Sequence, residues 1–296
     1  MTTHREHIIQ TLRGDKTDRV ARGEFFFADE FIRTFLRFDG AVEFKHRQSV
    51  VEQLDLDIAP VAISEGWGTT TQPDEDRALE ALVRWHAESD RFIIAVIDGP
   101  FSAGVKRRGF EMLMRYVHSA PQFAQEDFQH GAEDTLVTAQ AVRDAGADGV
   151  VLGEDIAYNR STFFSPEQLR ELYFPELRRA ARGIRALGLA AFFHSDGNLN
   201  AILDDLAASE LDGIQGLEPA AGMLIDIVRE RVGNSLTLWG NLSFDFLGAP
   251  RTDQEINAAV RAIESANGGR TRLILGSCGG LVEGMNVETV KRIYGR

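Results

Sequence analysis

The sequence predicts a single (β/α)₈ barrel spanning residues 1–296. Three observations predict it. The chain has 296 residues, close to the usual length of such a barrel. A unit recurs along it: a short apolar run, a polar or glycine-containing turn, then an amphipathic helical stretch. No low-complexity or Pro/Ser-rich linker divides the chain into separate domains.

The apolar runs are Ile58–Ile63, Phe92–Ile97, Gly149–Leu152, Leu189–Phe193, Leu211–Gln215, Leu236–Trp239 and Arg272–Leu275, with Gly23–Phe27 as an eighth. They are almost continuously apolar, which is how strands read when both faces are covered. Parallel strands need helical crossovers, and the intervening segments supply them. Pro166–Leu187 carries Leu169, Leu172, Tyr173, Leu177, Ala180, Ala181 and Ile184 at helical spacing. Ser165 is placed as its N-cap, Pro166 as its first residue and Gly188 as its stop. Leu199–Ala208 and Asp253–Ala266 read as further helices. An insert from Phe101 to Arg143 adds helix at Phe110–His118 and Pro121–Arg143, expected over or beside the barrel mouth. An open doubly wound sheet would use fewer strands and usually a glycine-rich phosphate turn after the first one. No G-x-G-x-x-G follows the first strand here.

Composition narrows the function. Hydrophobic residues make up 44% and charged residues 26%, ordinary for a globular chain with a large core. The formal net charge of −13 disfavours nucleic acid and anionic membrane as partners. The one cysteine, Cys278, excludes a disulfide within the chain. The N-terminus has no apolar signal region, and no stretch approaches a membrane span. A cytoplasmic location is the expectation.

In a barrel the loops after the strands converge on one face, and active sites sit there. The polar residues ending the runs are Glu65, Asp98, Glu154, Asp155, His194, Asp196, Glu218, Asn241 and Cys278. A histidine beside an apolar run is ordinarily structural, and a buried free cysteine is ordinarily inert. Together, however, His194, Asp196, Glu218 and Cys278 offer the imidazole, carboxylate and thiolate groups that bind zinc. Several carboxylates on one mouth also repel each other unless a cation or protons neutralise them. Glu154, Asp155 and Asp98 are the candidates for proton transfer or substrate positioning, and Asn241 for a hydrogen bond. The basic run Lys106-Arg107-Arg108 reads as a solvated loop, the alternative being that it reaches over the mouth toward an anionic substrate.

The strings Asp98-Gly99-Pro100-Phe101, Gly146–Asp155, Phe164-Ser165-Pro166-Glu167, His194-Ser195-Asp196-Gly197-Asn198, Glu218-Pro219 with Ala221-Gly222-Met223, and Trp239-Gly240-Asn241 occur in this order. In them the chain resembles the uroporphyrinogen decarboxylase superfamily, and more closely its branch of cobalamin-dependent methyltransferases. The resemblance covers the chain from about Phe92 to the end and more faintly the N-terminal part. It implies the same barrel. True decarboxylases of the superfamily carry an arginine-rich R-Q-A-G-R-type motif near the N-terminus. The comparable region here reads Gly23-Glu24-Phe25-Phe26-Phe27-Ala28-Asp29 and lacks the arginines.

The superfamily's zinc methyltransferases use a His-x-Cys pair after one strand and a Cys after the last. His194 and Cys278 match two of these positions, and Asp196 stands where the middle cysteine would be. Glu218 is the alternative to Asp196. The resemblance thus implies a zinc enzyme moving a methyl group between a corrinoid and a small-molecule donor or acceptor. The chain shows no corrinoid-binding module of its own, so a separate corrinoid protein would bring that group. A homodimer is also compatible with the resemblance. Two other readings remain open at this point: a metal-free decarboxylase or lyase of a small carboxylic acid, and a non-catalytic tetrapyrrole-binding protein.

Overall fold

A computed structural model describes residues 2–64, 66, 67 and 73–295. Glu65, one of the polar residues at the strand ends, lies outside the described residues. Eight parallel strands form the barrel, and only these are numbered. They are β1 (Ala21–Arg22), β2 (Ile58–Ala62), β3 (Phe92–Asp98), β4 (Gly149–Gly153), β5 (Ala190–Ser195), β6 (Gly213–Gly216), β7 (Thr237–Leu242) and β8 (Leu273–Ser277). Their order is β1-β8-β7-β6-β5-β4-β3-β2. At the seam between β1 and β2, the Asp57 amide donates to the Arg22 carbonyl at 2.8 Å, which brings the two edges together. The result is a (β/α)₈ barrel, as the run pattern predicts.

Alternation along each strand sorts the core into two layers. Ile58, Phe92, Ile94, Val96, Val151, Phe192, Trp239 and Ile274 point inward and fill the barrel. Ile8, from the helix His4–Arg13, closes its N-terminal end. The other parity, including Ile93, Ala95, Leu152, Phe193, Ile214 and Leu275, packs against the surrounding helices.

One polar network fixes the helix His4–Arg13 to this end. Asp57 is fully buried. It accepts from Arg19 at 2.7 and 2.6 Å, from His4 Nδ1 at 2.8 Å and from the Arg22 amide at 2.8 Å. Burial alone would push its carboxyl up. Hydrogen bonds from His4, His7 and Arg19 outweigh that and hold it well below the usual carboxylate range. Asp57→Ala leaves a guanidinium without its partner, so a loss of roughly 3–5 kcal/mol in urea unfolding is expected. A depressed folded-state pKa means this stabilisation is present above the ordinary carboxylate range and lost as pH falls below it.

Several expectations are corrected. The first strand is Ala21–Arg22 rather than Gly23–Phe27. The Gly23 carbonyl is taken by the Trp239 indole N–H at 2.9 Å, which ends its pairing, and contact with the last strand's loop resumes only at Phe27 and Leu281. β5, β7 and β8 run past the expected ends, so His194, Ser195, Asn241 and Ser277 belong to strands. Pro166–Leu187 is not one unbroken helix. Ser165 caps Pro166–Gln168, a π-helical turn follows at Leu169–Tyr173, and an α-helix runs from Phe174 to Ala186. Leu199–Ala208 is reduced to a 3₁₀ turn at Asn200–Ile202 and a short helix at Leu203–Ala207. Asp253–Ala266 is helical as expected, with the reciprocal cap between Thr252 and Glu255.

The insert folds as Pro100–Arg108, Phe110–Ser119 and Pro121–Asp144. Phe110 lies beside the mouth, stacked on Trp67 with ring centres 4.8 Å apart and edge-on to Phe163 at 5.0 Å. Lys106-Arg107-Arg108 is the end of a helix, not a solvated loop, because acidic partners lie within reach. Lys106 pairs with Asp98 at 2.8 Å, Arg107 with Asp134 at 2.8 Å, and Arg108 with the buried Asp127 at 2.8 Å.

Candidate metal centre at the barrel mouth

Register sets the site. Gly153 pairs with His194, and His194 with Gln215, so β4, β5 and β6 end at one level. Inward parity, counted from Phe192, turns His194 and then Asp196 toward the barrel axis. Asp155, just past β4, arrives beside them. One donor atom from each of Asp155, His194 and Asp196 lies within 4.8 Å of the others. His194 Nε2 is 3.5 Å from Asp155 Oδ1, and Asp155 Oδ1 also accepts the Asp196 amide at 3.1 Å.

His194 is nearly fully buried and its ring lies 4.4 Å from that of Phe25, centre to centre. Its Nδ1 is buried with no hydrogen-bond partner among the described residues. A buried ring nitrogen without a partner is costly, and it is also a vacant ligand position.

The charges around Asp196 are unbalanced. Dehydration in the mouth pushes its carboxyl up, His194 pulls it back, and Asp155 and Glu218 push it up again. Cys278 shares this field. It is fully buried, and its thiol donates to the Leu242 carbonyl at 3.1 Å. Burial, with Glu218 and Asp196 adding to it, pushes the thiol up to about 12, so it is uncharged at neutral pH. A cation would relieve both groups. Cys278 and Glu218 are therefore neighbours of the cluster electrostatically, but neither belongs to the three whose donor atoms converge.

The remaining candidates take other positions. Glu154 has the opposite parity to the inward-facing groups and is completely buried behind the barrel wall. Its carboxylate accepts from the amides of Phe101 and Ser102 at 3.3 and 2.9 Å, the first turn of Pro100–Arg108, and from the Tyr173 hydroxyl at 2.6 Å. Burial pushes the carboxyl up to about 8 despite these donors. Gly99 is required there, because a β-carbon on it would sit 2.4 Å from the carboxylate. Glu154 thus joins barrel to helix and does not open to the mouth. Asp98 accepts from Ser64, Ser102 and Lys106 at 2.7, 2.9 and 2.8 Å. Asp98, Ser64 and Lys106 line a separate cavity of about 440 Å³. Asn241 donates to the Leu217 and Met223 carbonyls at 2.9 and 3.1 Å, bracing the loop that carries Glu218.

Two residues absent from the sequence-derived set help to build the site. The Ser195 hydroxyl accepts the Ile156 amide at 3.0 Å and donates to the Asp196 carbonyl at 2.7 Å. It ties the Asp155 loop to the Asp196 loop. Gly197, at φ 84°, lies against the hairpin formed by Ala157–Tyr158 and Ser161–Thr162, where a β-carbon would be 2.7 Å from the Tyr158 backbone. Both lie in the string His194–Asn198, but only the packing of the neighbouring loop reveals their use.

Fold and site together define a (β/α)₈-barrel protein with a histidine and carboxylate cluster at its C-terminal mouth. Residues 77–295 match the family described as uroporphyrinogen decarboxylase (URO-D), and the chain belongs to that family. The Methylcobamide:CoM methyltransferase MtaA of Methanosarcina barkeri is 25% identical over 185 residues, covering 62% of this chain and 52% of that relative. The match therefore spans about half the relative's length. Among solved structures, a methyltransferase from Methanosarcina mazei aligns with a TM-score of 0.83 at 17% identity, over 100% of this chain and 98% of the other. A B12-independent methionine synthase from Shewanella sp. W3-18-1 aligns at 0.50 and 13% identity, over 80% of this chain and 67% of the other. At these identities the structural likeness is one of fold. No helix among the described residues is long and apolar enough to cross a membrane.

Proposed function

We propose that the protein is a zinc-dependent methyltransferase that moves a methyl group between a corrinoid, carried by a separate protein, and a small substrate. The observation that carries this reading is the convergence of one donor atom each from Asp155, His194 and Asp196. Similarity to a relative named as a methylcobamide methyltransferase supports the chemistry. Imidazole and carboxylate oxygen are both zinc ligands. The excess of negative charge formed by Asp155, Asp196 and Glu218 favours a cation and opposes a small carboxylic acid as substrate.

His194, Asp196 and Asp155 are the ligands in this reading. When bound, zinc supplies Lewis acidity that lowers the pKa of a substrate thiol, making its sulfur nucleophilic at neutral pH. The chain's own residues do the rest. Ser195 and Asn241 fix the loops that carry Asp196 and Glu218. Glu218 stands beside Asp196 and Cys278 as the group to receive a proton from the arriving substrate. Methylcobamide is the donor suggested by the relative's name, and a small thiol is the acceptor that suits such a metal.

Metal analysis tests the ligand set. Purified protein is expected to hold about one zinc per chain. Asp155→Asn should weaken zinc binding tenfold or more, by about 1.4 kcal/mol, while Cys278→Ala should retain it. The reverse result assigns the third ligand to Cys278 in place of Asp155.

A further inference from the structure

The larger described cavity is not at the mouth. It has a volume of about 660 Å³ and opens at the other end of the barrel, where the strands begin. Phe92, Ala190 and Arg272 on its wall open or precede β3, β5 and β8, whereas His194 and Asp196 end β5. A volume of this size is typical of small-molecule sites, roughly 300–1,000 Å³. We infer that this cavity is a second, non-catalytic binding site for a small organic anion, a carboxylate or phosphate ester with an apolar body.

Three arginines, Arg13, Arg185 and Arg272, line this cavity of a chain whose net charge is −13. Arg13 makes no side-chain hydrogen bond or ion pair among the described residues. Arg272 donates to the Arg13 carbonyl at 3.2 Å, which draws the two side chains' bases together. It does so from a left-handed backbone conformation, φ 51°, unfavourable for a residue with a β-carbon. Arg185 reaches the Glu210 carbonyl at 3.3 Å and lies 3.6 Å from Asp212.

Two carboxylates also line the cavity, but strand backbone holds them. Asp148 accepts the Ile93 amide at 2.8 Å and pairs with Arg5 at 3.0 Å. Asp212 accepts the Ala191 amide at 2.9 Å. The guanidinium forks keep free N–H groups, the geometry that receives a carboxylate or phosphate in two parallel bonds. Behind them the smaller, apolar part of the lining, from Leu12, Phe92 and Leu211, forms a floor. An inorganic ion would leave that floor wet. An anion with an aromatic or branched body covers it. Catalysis in barrels occurs at the opposite face, so occupancy here adds binding without chemistry.

Calorimetric titration of the full chain with phenyl phosphate, in low-salt chloride buffer, tests this. The expected result is one site per chain, weaker binding of inorganic phosphate, and none of benzyl alcohol. Arg13→Gln and Arg185→Gln, both at exposed positions that the fold tolerates, should each weaken binding about tenfold. His194→Ala should leave it unchanged, which separates this site from the mouth. Absence of saturable binding at millimolar phenyl phosphate overturns the inference. So does binding that the arginine variants leave intact or that His194→Ala abolishes. Equal affinity for inorganic phosphate overturns the role of the apolar floor.

Discussion

His194→Ala is expected to remove the bound zinc and to slow methyl transfer roughly a thousandfold, the rate equivalent of about 4 kcal/mol. The imidazole is the one nitrogen donor in the Asp155–His194–Asp196 cluster. Without it, Asp155 and Asp196 alone remain to hold a metal. The substitution also leaves a space against Phe25. Unfolding should therefore be followed alongside activity. Metal content by mass spectrometry, with circular dichroism to establish folding, reads the effect. A folded His194→Ala variant that keeps its zinc and its rate would remove His194 from the centre.

Away from the mouth cluster, a stability effect as large as that at Asp57 is expected at Glu154. Glu154→Ala leaves the Phe101 and Ser102 amides and the Tyr173 hydroxyl without their acceptor in a fully buried place. A loss of roughly 3–5 kcal/mol is expected, readable as a lower urea midpoint. Glu154→Gln keeps the shape and should cost much less, but it should change the pH dependence. The carboxyl lies near 8 in the fold against an ordinary value of 4.5. A raised acid binds its proton more tightly when folded, so its contribution is complete below the unfolded value and is lost as pH rises toward 8. Glu24, buried between Ser277 and Tyr294, is pushed up to about 7 and acts with the same sign. Stability should accordingly fall between pH 5 and 8. Glu154→Gln should flatten part of that fall, since it removes one of the raised carboxyls. An unchanged slope would mean that Glu154 is ionised throughout.

Glu154 and Asp155 show how far the sequence could be read. Both end the same apolar run, and both look like candidates for the mouth. Strand parity separates them: Glu154 goes behind the wall to a helix N-terminus, while Asp155 reaches His194. Parity at a strand end depends on where pairing stops. That point is set by neighbouring strands, which a local run of residues does not contain.

The barrel itself was legible because its signal is local and repeated, as seven apolar runs followed by amphipathic helical stretches, whereas the eighth run, Gly23–Phe27, missed the strand at Ala21–Arg22. The helix Asp253–Ala266 was legible for the same reason. The break in Pro166–Leu187 was not, since the π-helical turn coincides with Tyr173 reaching Glu154, a tertiary contact. Lys106 was misread because the pattern of a basic run does not reveal Asp98 beside it. The resemblance to cobalamin-dependent methyltransferases pointed to His194 and Cys278 as partners. Among the described residues it is Asp155, not Cys278, whose donor atom lies within reach of His194 and Asp196, and the ligand set proposed above takes Asp155 for that reason.

The most direct measurement is an anaerobic assay of zinc-loaded protein with methylcobalamin and a small thiol, followed by the visible absorption of the corrinoid. Loss of the methylcobalamin band in proportion to protein, stopped by chelator and absent in His194→Ala, is the predicted result. A spectrum that stays unchanged with zinc-loaded, folded protein across a set of small thiols would contradict the proposed function, as would a band loss that His194→Ala leaves intact.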